Sequence, residues 1–421
     1  MELFLVEGGK PLIGSLPVQG AKNSVLPLLA AALLANGPCE LENAPQLSDV
    51  QGALDILQFL GAKYRRQEDC LLVDTSCANG HRIPEELMHK MRSSIVFLGA
   101  MLGRQGRAEL SLPGGCDLGP RPIDLHLEGL RRLGVVVQEN QGRLVCTAPQ
   151  GLHGSRVTLA FPSVGATENI LLAACTAKGE TVLTNAAQEP EIVDLAGFLN
   201  AMGGKITGAG KSTLRVEGVK KLHPARWKVM PDRIAAATWL AMTCASRGKI
   251  CLQDFPTHLL QGVYPVLEEM GAKLRLEERR VFLAQEGRPR RVKQLRTMPY
   301  PGFPTDAQSV FLAVLTAARG TSLVVENIFS DRFRPVGELL RMGADVRVEG
   351  RAALVHGVKQ LYAAPVEATD LRGGAALVTA GLMAKGTTAI HGIHHIDRGY
   401  EHLEDTLTRL GASVRRVTEQ E

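Results

Sequence analysis

Aromatic side chains make up only 4% of the 421 residues, and positive charge is barely in excess, with 48 lysines and arginines against 43 aspartates and glutamates. Nucleic-acid binders concentrate basic charge and interleave it with aromatic platforms, so no nucleic-acid partner is expected. Long apolar runs are missing too. The longest, Val25 to Ala35, is broken by Pro27 and falls far short of the roughly 20 residues a membrane helix needs, so no membrane partner is expected either. The first residues carry no basic stretch followed by an apolar one, and no secretory signal is read there. Of the eight cysteines, the nearest pairs, Cys70 with Cys77 and Cys244 with Cys251, are seven residues apart, which excludes a CxxC motif or a zinc spacing. Cys146, Cys175 and Cys251 stand in apolar contexts, as reduced core thiols of a cytoplasmic protein would.

What the chain does have is repetition. A pattern of apolar helix, small residues, glycine and short β-branched strand occurs six times, with its glycine at Gly37, Gly106, Gly179, Gly248, Gly320 and Gly386. A second pattern, an amphipathic helix ending in Leu-Gly or Met-Gly, occurs at Gly61, Gly134, Gly203, Gly271, Gly343 and Gly411. Two markers sharing a period of about 70 residues define six units. Each reads as α-β-α-β-β, with one helix apolar all round and one carrying a single apolar stripe. Three units closing around their apolar helices give an α/β domain with helices inside and strands outside. Six give two domains, a size that suits the length. The polar stretch Lys221 to Met230 reads as the linker, so the domains are expected at 22–230 and at 1–21 with 231–421, and a ligand cleft between them.

The units differ where function is expected. The second is the longest between its two glycines, and the excess lies in 111–122, Ser-Leu-Pro-Gly-Gly-Cys116-Asp-Leu-Gly-Pro-Arg121-Pro122. This loop holds a cysteine four residues before Pro120-Arg121-Pro122. A thiol among guanidinium groups and bound phosphate becomes reactive; an ordinary loop cysteine is the plainer alternative. The apolar helices begin with Lys22-Asn23, Arg92-Ser93, Ser163 to Thr167, Asp232-Arg233, Thr305-Asp306 and Asp370-Leu371-Arg372. The Ser, Thr, Asp and Asn residues are ordinary caps or anion ligands. Lys22, Arg92 and Arg372 oppose the helix dipole, which implies an anion that offsets them. Arg332 and Arg398 follow Asp331 and Asp397, with surface ion pairs as the alternative to ligand binding. Asp306, fixed among cations, suits the removal of a proton from a hydroxyl. His391, His394 and His395 read as strand-end residues more than as metal ligands.

These segments carry a resemblance over nearly the whole chain. Gly20-Ala-Lys22-Asn23-Ser24, the Pro113-Gly-Gly-Cys116 loop running to Arg121-Pro-Ile-Asp124-Leu125, Ser163-Val-Gly-Ala-Thr-Glu-Asn169, Glu189-Pro-Glu-Ile, Pro231-Asp-Arg233, Tyr300-Pro-Gly-Phe-Pro-Thr-Asp306 and Asp397-Arg-Gly-Tyr400 together resemble the UDP-N-acetylglucosamine 1-carboxyvinyltransferases. These are the bacterial enolpyruvyl transferases that begin peptidoglycan precursor synthesis. The resemblance implies the two-domain inside-out α/β barrel of that family and two small-molecule substrates, phosphoenolpyruvate and UDP-N-acetylglucosamine. It implies no cofactor. Cys116 would be the general acid, able to form a phospholactoyl adduct and alkylated by fosfomycin. Asp306 would be the base for the 3′-hydroxyl. Lys22, Arg121 and Arg398 would hold phosphoenolpyruvate, supported by Arg92, Arg332 and Arg372. Asn23, Pro122, Ile123, Asp124, Leu125, Ser163, Val164, Gly165 and Ile328 would place the nucleotide sugar. Phe161-Pro162 replace a lysine and an aliphatic residue common in the family, so one diphosphate contact is missing or supplied elsewhere. Ala235-Ala236-Ala237 stand where Glu-Thr or Glu-Ala is frequent. The sister enzyme acting on shikimate 3-phosphate lacks the Gly-Gly-Cys loop, and a non-catalytic sugar-nucleotide binder would not need Lys22, Cys116, Arg121, Asp306 and Arg398 together. No motif speaks to oligomeric state.

Overall fold

The computed structural model describes residues 2–111, 123–140 and 142–418. Cys116, Arg121 and Pro122 lie outside these residues, as does the side chain of Arg92. The six apolar helices are Lys22–Ala32, Phe97–Gln105, Val164–Ala174, Arg233–Ser246, Thr305–Thr316 and Leu371–Met383. They are surrounded by protein, as an all-round apolar helix must be; in Arg233–Ser246 every residue but the last is buried. The second helix of a unit is two-faced. In Asp124–Arg132 the side chains of His126, Leu127 and Leu130 point inward while Arg131 and Arg132 are exposed. The Leu-Gly and Met-Gly markers that end these helices share one conformation, with φ between 88° and 99° at all six glycines. A side chain there would meet the following carbonyl, which is why glycine recurs.

Among the described residues there are six four-stranded sheets, one per unit. In the second unit Arg107–Ser111 pairs antiparallel with Arg143–Thr147, which pairs with Val136–Asn140. Each sheet also has a strand that the repeat pattern does not reveal, a short one lying parallel to the strand after the apolar helix. Arg156–Thr158 on Glu180–Thr184 is one example. In the first unit this strand is Arg226–Lys228, paired with Glu40–Glu42. The stretch expected as a linker is therefore part of a sheet. The first residues divide between two sheets. Ile13–Pro17 is the parallel strand of the fourth unit, on Lys249–Gln253, and Glu2–Glu7 lies between Thr387–His391 and Ser413–Thr418 in the sixth.

The described residues form two compact units, one of 20–111, 123–140 and 142–231 and one of 2–19 with 232–418. In the second, the three apolar helices pack against one another; in the first, Phe97–Gln105 packs on both Lys22–Ala32 and Val164–Ala174. That packing needs Gly99, where an added Cβ would stand 2.2 Å from the carbonyl oxygen of Asn169. Gly99→Ala should lower stability by roughly 1–3 kcal/mol or more, read as a reduced urea midpoint, because backbone cannot yield as a side chain can. Burial pushes the Cys146 and Cys175 thiols up to about 12, so these behave as inert core residues. No described helix is long and apolar enough to cross a membrane.

Candidate active site

Asp306 sits in the first turn of Thr305–Thr316, between two arginines from other segments of the same unit. Arg332 Nη2 donates to its Oδ1 at 2.7 Å, and Arg372 Nη2 to its Oδ2 at 3.2 Å. The arginine side chains are 2% and 4% exposed while Asp306 keeps 26%, so the carboxylate has a face open to a ligand and a back held by buried cations. Arg332 is turned to Asp306 and not to its neighbour Asp331, so the alternative of a surface ion pair does not hold for it. Arg372 Nη1 donates to the Tyr400 hydroxyl at 3.2 Å. Thr238 gives its own proton to Ile234 O, so Tyr400 donates to Thr238 across 2.9 Å. Burial pushes the Tyr400 phenol up, with Arg372 opposing. Burial alone would weaken the charge of Arg372, but Tyr400, Asp306 and Asp232 outweigh it and hold its pKa above the ordinary value.

Arg398 ends the 3-10 helix Ile393–Arg398 and is half-buried. Its neighbour Asp397 is engaged elsewhere, by Arg416 Nη2 at 2.6 Å and Nη1 at 3.1 Å. The turn after Arg398 is gripped by Gln19, whose Nε2 donates to Gly399 O at 3.1 Å and whose Oε1 accepts from Glu401 N at 3.0 Å. Asp232 and Asp370 are true N-caps, each accepting from two backbone N–H groups. Thr305 is not; its hydroxyl goes to Glu326. His391 ends a strand, and His394 and His395 stack in the 3-10 turn with centroids 4.1 Å apart.

In the other unit, Lys22 opens its helix without a capping side chain. Its Nζ donates at 2.7 Å to Oδ2 of Asp49, a buried residue in the first turn of Ser48–Phe59. The anions that offset Lys22 and Arg372 thus include carboxylates of the protein itself, which corrects the inference of a ligand from dipole cost alone. Asn23 is half-buried beside Lys22. Ser24 donates to Asp194, which also accepts from Trp227 Nε1 at 3.0 Å and Met230 N at 3.3 Å; burial pushes this carboxyl up.

The starts of Asp124–Arg132 and Val164–Ala174 are joined by one amide. Asn169 Oδ1 accepts from Gly99 N at 2.6 Å, and Nδ2 donates to Ile95 O at 3.1 Å and to His126 Nδ1 at 2.9 Å. This brings Ile123, Asp124 and Leu125 near Ser163, Val164 and Gly165, where a Cβ on Gly165 would stand 2.9 Å from the His126 ring. Ser163 caps its helix, accepting from Ala166 N at 3.3 Å. Glu168 on the same helix is pushed well above the usual carboxylate range by burial and by Glu191 and Glu189.

Burial holds His126 at about 4, below its ordinary value, despite Asp124. An unfolded His126 takes up a proton near pH 6.5, so its contribution to stability is complete above that and is lost as pH falls towards 4. Between pH 7 and 4 the wild type should lose about 3 kcal/mol that His126→Gln does not. Parallel urea curves for the two proteins across that range would contradict this.

Asp49, Glu326 and His126 were not singled out from sequence, and Asn169 only as the last residue of the motif that begins at Ser163. Asp49 reads as a favourable first-turn acid, and Glu326 as the last residue of an apolar strand. Neither pattern names a partner.

The family model of EPSP synthase (3-phosphoshikimate 1-carboxyvinyltransferase) matches residues 6–407. A UDP-N-acetylglucosamine 1-carboxyvinyltransferase 2 of Caldanaerobacter subterraneus subsp. tengcongensis is 47% identical over 417 residues, covering 99% of this chain and all of that one. A UDP-N-acetylglucosamine 1-carboxyvinyltransferase of Saccharophagus degradans is 46% identical over 418 residues, with 99% and 100% coverage. Among solved structures, the enolpyruvyl transferase NikO from Streptomyces tendae superposes with a TM-score of 0.89 at 25% identity, covering 100% of this chain and 99% of that one. EPSP synthase from Acinetobacter baumannii gives 0.74 at 19% identity, with 99% and 100% coverage, a likeness of fold. The chain belongs to the enolpyruvyl transferase family, on the branch of the UDP-N-acetylglucosamine 1-carboxyvinyltransferases.

Proposed function

We propose that the chain transfers the enolpyruvyl group of phosphoenolpyruvate to the 3′-hydroxyl of UDP-N-acetylglucosamine and releases phosphate, the first committed step of peptidoglycan precursor synthesis, in the cytoplasm. The observation that carries this reading is the full-length likeness to proteins named for that reaction. The geometry around Asp306 supplies a chemistry for it. A carboxylate with one open face and two cations behind it is oriented to take the proton of an incoming hydroxyl. Cys116 gives a proton to the methylene carbon of phosphoenolpyruvate. The 3′-oxygen bonds to the adjacent carbon as its proton passes to Asp306, and return of a methyl proton to the Cys116 thiolate with departure of phosphate restores the double bond. Lys22, Arg121 and Arg398 bind the phosphate and carboxylate of phosphoenolpyruvate, with Arg92, Arg332 and Arg372 in support. Asn23, residues 122–125, Ser163 to Gly165 and Ile328 position the nucleotide sugar. Both domains, 22–230 and 1–21 with 231–421, contribute residues to this one reaction.

The test is phosphate release from phosphoenolpyruvate with either of two acceptors. UDP-N-acetylglucosamine should support turnover and shikimate 3-phosphate should not. Turnover with shikimate 3-phosphate alone would move the chain to the sister activity, and turnover with neither would leave a binding protein.

A further inference from the structure

Glu326 follows strand Thr321–Val325 and is fully buried, a position that costs several kcal/mol unless the carboxylate is well supplied with donors. Four donors reach it. Oε1 accepts from the Thr297 hydroxyl at 2.9 Å, from Ile328 N at 2.8 Å and from Phe329 N at 3.0 Å. Oε2 accepts from the Thr305 hydroxyl at 3.0 Å. With its proton committed to Glu326, Thr305 turns its lone pairs to Arg332, whose Nε donates to it at 3.3 Å and whose Nη2 reaches Asp306. On the other side, Thr297 Oγ1 accepts from Asn327 N at 2.9 Å, so the turn bearing Ile328 is held at consecutive residues.

We propose that Glu326 is a positioning residue that sets the Ile328 turn and the Thr305–Arg332–Asp306 chain with one carboxylate. It touches no substrate, and the inference rests on the roles proposed above for Asp306 and Ile328. Main-chain N–H groups only donate, so an amide at 326 must keep its oxygen towards Ile328 and Phe329 and turn its NH2 to Thr305. Thr305 then accepts from residue 326, and its proton is no longer directed away from Arg332.

Steady-state kinetics with thermal melting of Thr305→Val, Thr305→Ser and Glu326→Gln test this. Thr305→Val should lower kcat roughly 10- to 100-fold through misplacement of Arg332 and Asp306, with the KM for UDP-N-acetylglucosamine within about 2-fold of wild type. Thr305→Ser keeps the hydroxyl and should restore kcat to within about 3-fold. Glu326→Gln should show the same loss of kcat and also raise that KM by about 5-fold or more, since it disturbs the turn as well. A merely structural Glu326 would lower the melting temperature and leave the kinetic constants of the folded enzyme unchanged, and that result overturns the inference. So does Thr305→Ser as slow as Thr305→Val, a comparison that decides the matter even if Glu326→Gln does not fold. A wild-type enzyme inactive on UDP-N-acetylglucosamine overturns the functional reading itself, a failure separable from these.

Discussion

Asp306→Asn is expected to lower kcat by about 10²- to 10⁴-fold, the range for removal of a positioned general base. The substitution keeps the size of the side chain and one oxygen for Arg332, the closer partner at 2.7 Å. What it loses is a basic oxygen, and with it the charge that both arginines share. Binding of UDP-N-acetylglucosamine should change much less than turnover, because a group that acts on the proton in transit contributes mainly to the transition state. Phosphate release under saturating substrates measures kcat, and equilibrium titration measures binding. Turnover near that of the wild type would remove Asp306 from the base role.

Arg372→Met should do something different, lowering both activity and stability. The guanidinium is buried and joins Asp306 to Tyr400 through separate nitrogens. Removing one partner of a buried ion pair leaves the other undercompensated, a loss of about 3 kcal/mol. The lower end of the usual range applies because Asp306 retains Arg332 and is partly open to solvent. Arg372→Lys should not restore function, since a single ammonium does not span the two acceptors as the planar fork does. The measurement is a urea midpoint together with kcat for both variants. A stable but inactive Arg372→Met would make Arg372 a ligand group only, and an active one would exclude it from holding Asp306.

Most of the architecture was legible because it is written in periodic glycines. Gly61, Gly134, Gly203, Gly271, Gly343 and Gly411 mark a backbone conformation that other residues adopt at a cost, so the repeat is visible without an alignment. Neither the parallel strand Arg226–Lys228 nor the partner of the strand Ile13–Pro17 was legible. Both strands are short, and the strands they pair with are distant in the chain, so neither periodicity nor turn chemistry announces these pairings. The same limit applies to the site. Lys22 and Arg372 stood out by charge at unusual places, and Asp306 by the Tyr300-Pro-Gly-Phe-Pro-Thr305 lead-in before it, but the identity of their partners is tertiary. Dipole cost at Lys22 suggested a bound anion, whereas Asp49 from the next helix occupies Nζ. A cation at a helix start says that negative charge is near and does not say whose it is.

The nuclear magnetic resonance spectrum of the product formed from phosphoenolpyruvate and UDP-N-acetylglucosamine tests the central claim most directly. A vinylic methylene group coupled through oxygen to the 3′ carbon of the sugar, formed in step with phosphate, is the predicted outcome. Attachment at another hydroxyl, or a mixture of unreacted substrates with enzyme that is folded and saturated, would contradict it.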